Sequence, residues 1–297
     1  MKILNPRNLP EAIVNAGTPE ERSPVPNRIG VTDLIGPAWQ RKLKLEYDGE
    51  IVDEIENRVK LIIGTAVHYY MDSKAPEDAH TEKKLTIKVG DCEVAGIPDI
   101  HKNGKLNDYK YTSVWSYIFG KKEWEEQLNV YAYMCKKNGY EITDISIIAF
   151  FYDWEENEKK RRDDYPPYPI LEIKTLLWSE EEQRDFIEKR ISAHIDVVPC
   201  SPEERWRRDP TYAVMKEGRK SAMRVLPTYA EACGWVVEQG LEGDEKVTVV
   251  ERLGEDRRCM KYCPVAPMCS ENRYLEVLEN NRLRNKEGES INEDRPG

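Results

Sequence analysis

Long apolar runs are missing from this chain. No stretch approaches the roughly 20 consecutive apolar residues of a membrane-spanning helix, which excludes helical membrane proteins and a membrane partner of that kind. The opening segment, MKILNPRNLPEAIVNAG, lacks the apolar core of a secretory signal, so a cytoplasmic protein is expected. A disulfide framework is missing too: seven cysteines, an odd number thinly spread over 297 residues, do not make the paired scaffold of a small secreted domain. Internal repeats are absent. Net positive charge is also lacking. A balance of -10 argues against non-specific nucleic-acid binding by the whole surface, while leaving room for a local basic groove. Basic clusters that could line one are Lys121-Lys122, Lys159 to Arg162, Arg205 with Arg207-Arg208, and Lys216, Arg219, Lys220 and Arg224. What remains, 39% hydrophobic and 34% charged residues, describes a soluble, polar, globular chain. Its length allows one large domain or a core with a small appendage.

Residues 1 to 30 carry five prolines and little periodicity, and are expected to form an extended arm. VTDLIGPAWQRKLKLEY reads as helix in two pieces broken at Pro37. NRVKLIIGTAVHYYMD reads as a helix with an apolar face through Leu61, Val67 and Tyr70. Three strands are expected at 84–88, 92–101 and 106–112. KKEWEEQLNVYAYMCKKNG is a strongly amphipathic helix closed by Gly139. ISIIAFFYDW and LEIKTLLW read as strands, and Ser179 with Glu182 forms a capping box that opens a helix. After Cys200 the texture changes: a hairpin, the helix TYAEACGWVVEQG and the strand EKVTVVERL make a small ββαβ unit. The tail from about residue 280 has the composition of a disordered segment.

The stretch GIPDIHKNGKLNDYK, residues 96 to 110, carries the chemistry. Asn103-Gly104 is the sequence of a two-residue type I′ turn. That turn pairs residue 102 with 105, 101 with 106, 100 with 107, and hence Asp99 with Asp108. Directly opposed side chains sit about 5 Å apart at Cβ, where like charges repel. Lys110, two residues beyond Asp108, projects from the same face. Solvated surface charges would fit this pattern. So would a hard divalent cation such as Mg²⁺, which takes one or two carboxylates, keeps waters, and relieves the repulsion. The lysine could then orient or deprotonate the attacking water, or stabilise developing charge. Gln127 and Tyr131, spaced i, i+4, share one helix face.

IPD at 97–99 followed by DYK at 108–110 resembles the PD-(D/E)XK nuclease motif. GTAVHYY at 64–70 resembles the helix whose histidine completes the metal site in the RecB-like branch, and QLNVY at 127–131 resembles that branch's QxxxY motif. Glu82 stands where these families often carry an acidic residue. The resemblance spans about residues 30 to 195, in a branch that includes phage-encoded exonucleases and the CRISPR-associated adaptation nuclease. It implies an α/β restriction-endonuclease-like core, with a mixed central sheet flanked by helices, and Mg²⁺- or Mn²⁺-dependent hydrolysis of DNA from an end. It implies His68, Asp99, Asp108 and the backbone carbonyl of Tyr109 as metal ligands, and Asp99, Asp108, Lys110, Gln127 and Tyr131 as the catalytic set. DNA is the implied partner, with a recombination or replication protein beside it, in a bacterial or phage-infected cell. Two alternatives stay open: a non-catalytic DNA-binding or assembly subunit that retains the fold, and a sequence-specific endonuclease.

Cys259, Cys263 and Cys269 are close enough in sequence to bind one metal, and Cys200 could supply a fourth thiolate. Several RecB-like nucleases carry a four-cysteine [4Fe–4S] cluster with one cysteine ahead of the core. Here LIGPAWQRKLKLEY, residues 34–47, has none, so Zn²⁺ remains an alternative. Cys92, Cys135 and Cys233 read as buried small hydrophobes. The expected organisation is an arm at 1–30, the nuclease core at 31–199, a cysteine-clamped accessory unit at 200–270 and a partly disordered tail at 271–297.

Overall fold

The computed structural model describes residues 1–19, 25, 27–81, 83–272; Glu82 and residues 273–297, most of the expected tail, lie outside them. The chain divides into two compact units, 1–198 and 199–297. Together they make a mixed α/β protein. Among the described residues no helix is long and apolar enough to cross a membrane.

The first 30 residues depart from the expected arm. They contain strand β1 (Lys2–Leu4), helix α1 (Glu11–Gly17) and strand β2 (Arg28–Gly30). Next come α2 (Val31–Ile35) and α3 (Ala38–Glu46), divided at Pro37 as expected, then β3 (Val52–Glu54), which pairs in parallel with β1. These elements are too short to show periodicity, and partners distant in sequence hold them. Gly17 is one example: a Cβ there would lie 2.3 Å from Ile55 Cδ1.

Helix α4 (Val59–Ser73) follows. Its expected apolar face is not a buried one: Leu61 and Tyr70 are exposed and Val67 is half-buried. Strands β4 (His80–Thr81), β5 (Leu85–Val89) and β6 (Cys92–Gly96) come next. The expected strand at 92–101 is two strands. It breaks around Pro98, which has no N–H to give a ladder, and resumes as β7 (Ile100–Lys102). β6 joins a sheet of order β2-β6-β5, whereas β7 joins a different, mixed sheet.

That second sheet positions the site. β7 turns through Asn103 (φ 50°) and Gly104 (φ 78°) into β8 (Lys105–Thr112), with register Ile100↔Asn107, His101↔Leu106 and Lys102↔Lys105. After the short helix α5 (Trp115–Ile118) and the long helix α6 (Lys122–Lys137), β9 (Asp144–Phe151) returns parallel to β8. Parallel neighbours need a crossover rather than a tight turn, and α6 provides it. Past α7 (Glu156–Arg161), β10 (Ile170–Lys174) pairs antiparallel with β9, completing the order β10-β9-β8-β7-β4 among the described residues.

α6 buries Leu128, Tyr131, Met134 and Cys135, an i, i+3, i+6, i+7 stripe, against Leu106, Ile145 and Ile147 in the same core. Leu128 and Met134 are fully buried, and each contributes about 1.5–3 kcal/mol, an upper figure for side-chain burial. The helix ends in a Schellman turn: Gly139 (φ 87°) donates to Lys136 O at 3.1 Å and Tyr140 to Cys135 O at 3.0 Å. The expected strand 171–178 stops at Lys174, because the following backbone serves Asn129 on α6 instead. Asn129 Nδ2 donates to Leu176 O (2.9 Å), and its Oδ1 accepts from Trp178 N (2.9 Å) and Gln183 Nε2 (3.1 Å). Ser179 and Glu182 cap α8 (Glu180–Ile195) with the reciprocal bonds of a capping box.

The second unit has β11 (Arg207–Arg208), a hairpin of β12 (Thr211–Lys216) and β13 (Arg224–Leu226), then α9 (Tyr229–Glu238), β14 (Val247–Arg252), β15 (Glu255–Asp256) and α10 (Arg257–Lys261). The order β13-β12-β14 with α9 packed on it is the expected ββαβ arrangement, and β11 pairs with β15 beside it.

Candidate active site

Turn geometry, crossover, Pro98 and helix α4 together bring six side chains to one place. Asp99 stands just before β7, one step beyond the last ladder pair, and its Oδ2 accepts the backbone N–H of Tyr109 at 2.6 Å. Its Oδ1 lies 3.1 Å from His68 Nδ1, on α4, which packs against β8. Asp108 and Lys110 share a face of β8 as the alternation requires, with Lys110 Nζ 2.5 Å from Asp108 Oδ2. The same ammonium donates to Gln127 Oε1 on α6 at 3.1 Å. The Tyr131 hydroxyl, one turn along, interacts with Gln127 and with the backbone of Ile97.

Burial shapes the electrostatics. Asp108 is 2% exposed. Desolvation pushes its carboxyl above the ordinary range, Lys110 pulls it back, and the Asp99 charge adds to the push. Among the described residues, the Lys110 ammonium is the partner of Asp108 Oδ2. His68 is raised above an ordinary imidazole chiefly by its bond to Asp99, with burial opposing. Burial raises the Tyr131 phenol far above its ordinary value. A buried carboxylate near a second carboxylate suits a hard cation of the Mg²⁺ or Mn²⁺ type. Among the described residues, no three His, Cys, Asp or Glu side chains are already disposed around one metal position. Asp99 and Asp108 instead hold His68, the Tyr109 N–H and Lys110.

The backbone leaves Tyr131 room only because residue 96 is glycine. A Cβ at Gly96 would lie 2.6 Å from Tyr131 Cε1 and 2.6 Å from Val31 Cγ2. Gly96→Ala is therefore expected to cost about 1–3 kcal/mol through overpacking, measured by urea unfolding, and to displace Tyr131 from Gln127.

Lys121, expected as part of a basic pair that could line a groove, is a neighbour of this cluster, as is Lys60, which sequence reasoning missed. Lys121 is depressed below an ordinary lysine by burial, with Lys110 and Lys60 near enough to add to the effect. The signal for Lys60 was faint: it is one more lysine in a lysine-rich chain. Glu82 lies outside the described residues.

The second unit holds the other candidate. Cys200 precedes a turn in which Ser201 N donates to Glu204 Oε2 at 3.0 Å. That turn is stitched to the start of α10: Arg258 N donates to Arg205 O at 3.0 Å and its guanidinium to Glu204 O at 2.9 Å. Arg207 grips Asp256 through two bonds of 2.9 and 3.2 Å. The Cys200 thiol is pushed up to about 11 by burial, with Glu204, Cys263 and Cys259 adding to it. Cys259 is raised by burial and by the neighbouring Cys263. The turns Ala266 N to Cys263 O (3.2 Å) and Cys269 N to Ala266 O (3.3 Å) fold the third and fourth cysteines back along the same segment. No disulfide links any of the cysteines. Cys135 is a buried small hydrophobe as expected, pushed up to about 12, whereas Cys92 and Cys233 are only half-buried.

No family model and no curated protein matches the chain. Among solved structures it is similar to the crystal structure of SSO0001, at 19% identity and a TM-score of 0.44, over 62% of this chain and 82% of that one. It is also similar to a chain described as "Putative exonuclease" from Eubacterium rectale, at 14% identity and a TM-score of 0.31, over 62% of this chain and 71% of that one. Both likenesses are too slight to carry an argument about chemistry.

Proposed function

We propose that the first unit is a divalent-metal-dependent deoxyribonuclease of the PD-(D/E)XK, RecB-like kind, built on a restriction-endonuclease-like core. One observation supports this above all: Asp99, Asp108, Lys110 and Gln127 meet with His68 in one cluster, in which the buried Asp108 carboxylate lies near a second carboxylate. A structural ion pair alone has no need of the second carboxylate, whose proximity is unfavourable.

In this reading Asp99, Asp108, His68 and the carbonyl of Tyr109 would hold Mg²⁺ or Mn²⁺. The ion, when bound, supplies charge stabilisation at a phosphoryl oxygen and a more acidic water. Lys110, fixed between Asp108 and Gln127, donates toward the attacking water or the charge that grows on the phosphate. Tyr131 holds Gln127, and Gln127 in turn aims Lys110. Loading the ion requires His68 to release its proton and Asp99, because a protonated imidazole is no ligand.

The resemblance favours an exonuclease acting in phage or bacterial recombination, repair or degradation. The test is digestion of linear and covalently closed circular DNA, single- and double-stranded, with Mg²⁺ or Mn²⁺. An exonuclease degrades the linear forms and spares the circles; cleaved circles would show an endonuclease.

The second unit, in the same proposal, binds one metal centre through Cys200, Cys259, Cys263 and Cys269: a [4Fe–4S] cluster, with Zn²⁺ as the alternative. The stitched segments that carry these cysteines and the crowding of their thiols support it. A small unit gains stability when a metal ties its ends. Cys263→Ser is expected to lower the bound metal, read by elemental analysis, and to lower the unit's unfolding midpoint. Protein with neither iron nor zinc, and a variant as stable as wild type, would reject the centre.

A further inference from the structure

Just past the end of β8, the strand that carries Asp108 and Lys110, an aromatic column stands open to solvent. Trp115 and Phe119 stack with ring centroids 5.7 Å apart and planes 18° from parallel. The Arg162 guanidinium, itself held by Asp164, lies 5.0 Å over the Trp115 ring. Both rings are exposed, Phe119 at 77%. An exposed Phe beside an exposed Trp is unfavourable in water unless something covers it.

The column is rigidly mounted. Val114 N donates to Asp153 Oδ1 at 2.8 Å, Ser113 Oγ bonds the same carboxylate, and Thr112 Oγ1 donates to Ser116 Oγ at 2.8 Å. The α5 turn is thereby locked to the ends of β8 and β9. Two further cations stand near the carboxylate-bound Lys110. Lys121 directly precedes α6 and sits near Lys110 and Lys60. Lys60 Nζ bonds the Tyr152 hydroxyl at 2.7 Å at the end of β9.

We infer that this column is the seat of an unpaired nucleobase of the DNA strand being cut, which stacks on the open face of Phe119 while Lys60 and Lys121 take the adjoining phosphates. Three features select this occupant. A base has the flat π-face that an aromatic column receives. The cations match a phosphate backbone in an otherwise acidic protein. Asp108 on β8 and the column just past its end also belong to one continuous segment of chain. A base inside a duplex has both faces covered by its neighbours and cannot enter the column, so the device favours single strands and frayed ends. The inference deepens the nuclease reading and rests on it for the link to the scissile phosphate.

The test uses the full-length protein in EDTA, with fluorescein-labelled oligothymidylate and a blunt duplex of matching label, read by anisotropy. The Trp115→Ala/Phe119→Ala double variant is expected to bind oligothymidylate about tenfold to a hundredfold more weakly, with duplex binding unchanged and Phe119→Tyr close to wild type. Circular dichroism and the unfolding midpoint of each variant confirm that it is folded. Unchanged affinity for oligothymidylate, or an equal loss for both probes, would overturn the inference. The same proteins are then assayed for cleavage with Mn²⁺. Cleavage by wild type with no effect of the double variant on single strands removes the column and leaves the nuclease. Column-dependent binding without cleavage in either metal removes the nuclease and leaves the column.

Discussion

Asp108→Asn is expected to lower cleavage by about a thousandfold or more and, in the metal-free protein, to raise the unfolding midpoint. The two effects have one cause. Asp108 is a buried carboxylate facing a second carboxylate, and burial holds its pKa above the ordinary range. For an acid whose folded-state pKa is raised, folding favours the neutral form. Its stabilising contribution is therefore present below the ordinary carboxylate pKa and is lost as pH climbs through the raised one. At neutral pH the wild-type protein carries that penalty. The near-isosteric amide escapes it, so the variant's advantage over wild type should grow with pH across that window and then level off. Relief of the repulsion by Asp99 alone is worth up to about 1 kcal/mol, or about 2–4 °C in the midpoint for a protein of this size. On the proposed function the lost cleavage would reflect a lost metal ligand, since metal assistance is worth several kcal/mol at about 1.4 kcal/mol per tenfold. Scanning calorimetry at several pH values in EDTA, beside a cleavage assay, reads both. A variant less stable than wild type throughout would mean that Asp108 is a structural ion-pair partner.

Lys110→Met should lower cleavage by about a hundredfold to a thousandfold and change stability in the opposite direction. Its ammonium faces Asp108 and bonds Gln127. Without it a carboxylate only 2% exposed is left uncompensated, which costs about 1–3 kcal/mol. The figure is kept low because the Lys110 side chain is itself 23% exposed. The coupling is diagnostic: in Asp108→Asn/Lys110→Met the amide needs no cation, so the stability loss should largely vanish while cleavage stays low. Urea unfolding of the four proteins closes the cycle. Wild-type turnover in Lys110→Met would remove the lysine from the chemistry.

The convergence of Asp99, Asp108 and Lys110 was legible in the sequence because an Asn-Gly turn dictates register, and register dictates which side chains share a face. Gln127 and Tyr131 were legible as a pair because the long helix is strongly periodic. What the sequence concealed is non-local. Residues 92–101 look like one strand, and only Pro98 hints that the halves belong to different sheets. The parallel pairing of β8 with β9, which brings α6 over the carboxylates, leaves no local trace. Residues 175–178 look like strand but serve a buried asparagine on another helix. The apolar residues of α4 suggested a buried face, yet Leu61 and Tyr70 are exposed. The helix and strands of the first 30 residues are fixed by partners such as Ile55 and β6, which are distant in sequence.

The carboxylate pair is proposed to cut DNA with a divalent ion. The most direct measurement incubates end-labelled linear single- and double-stranded DNA with wild type and with Asp108→Asn, prepared side by side, in Mg²⁺, Mn²⁺ and EDTA. The account predicts shortened products from wild type in at least one metal, none in EDTA and none from the variant. Intact DNA with folded wild type in both metals, or equal cleavage by the variant, would contradict it.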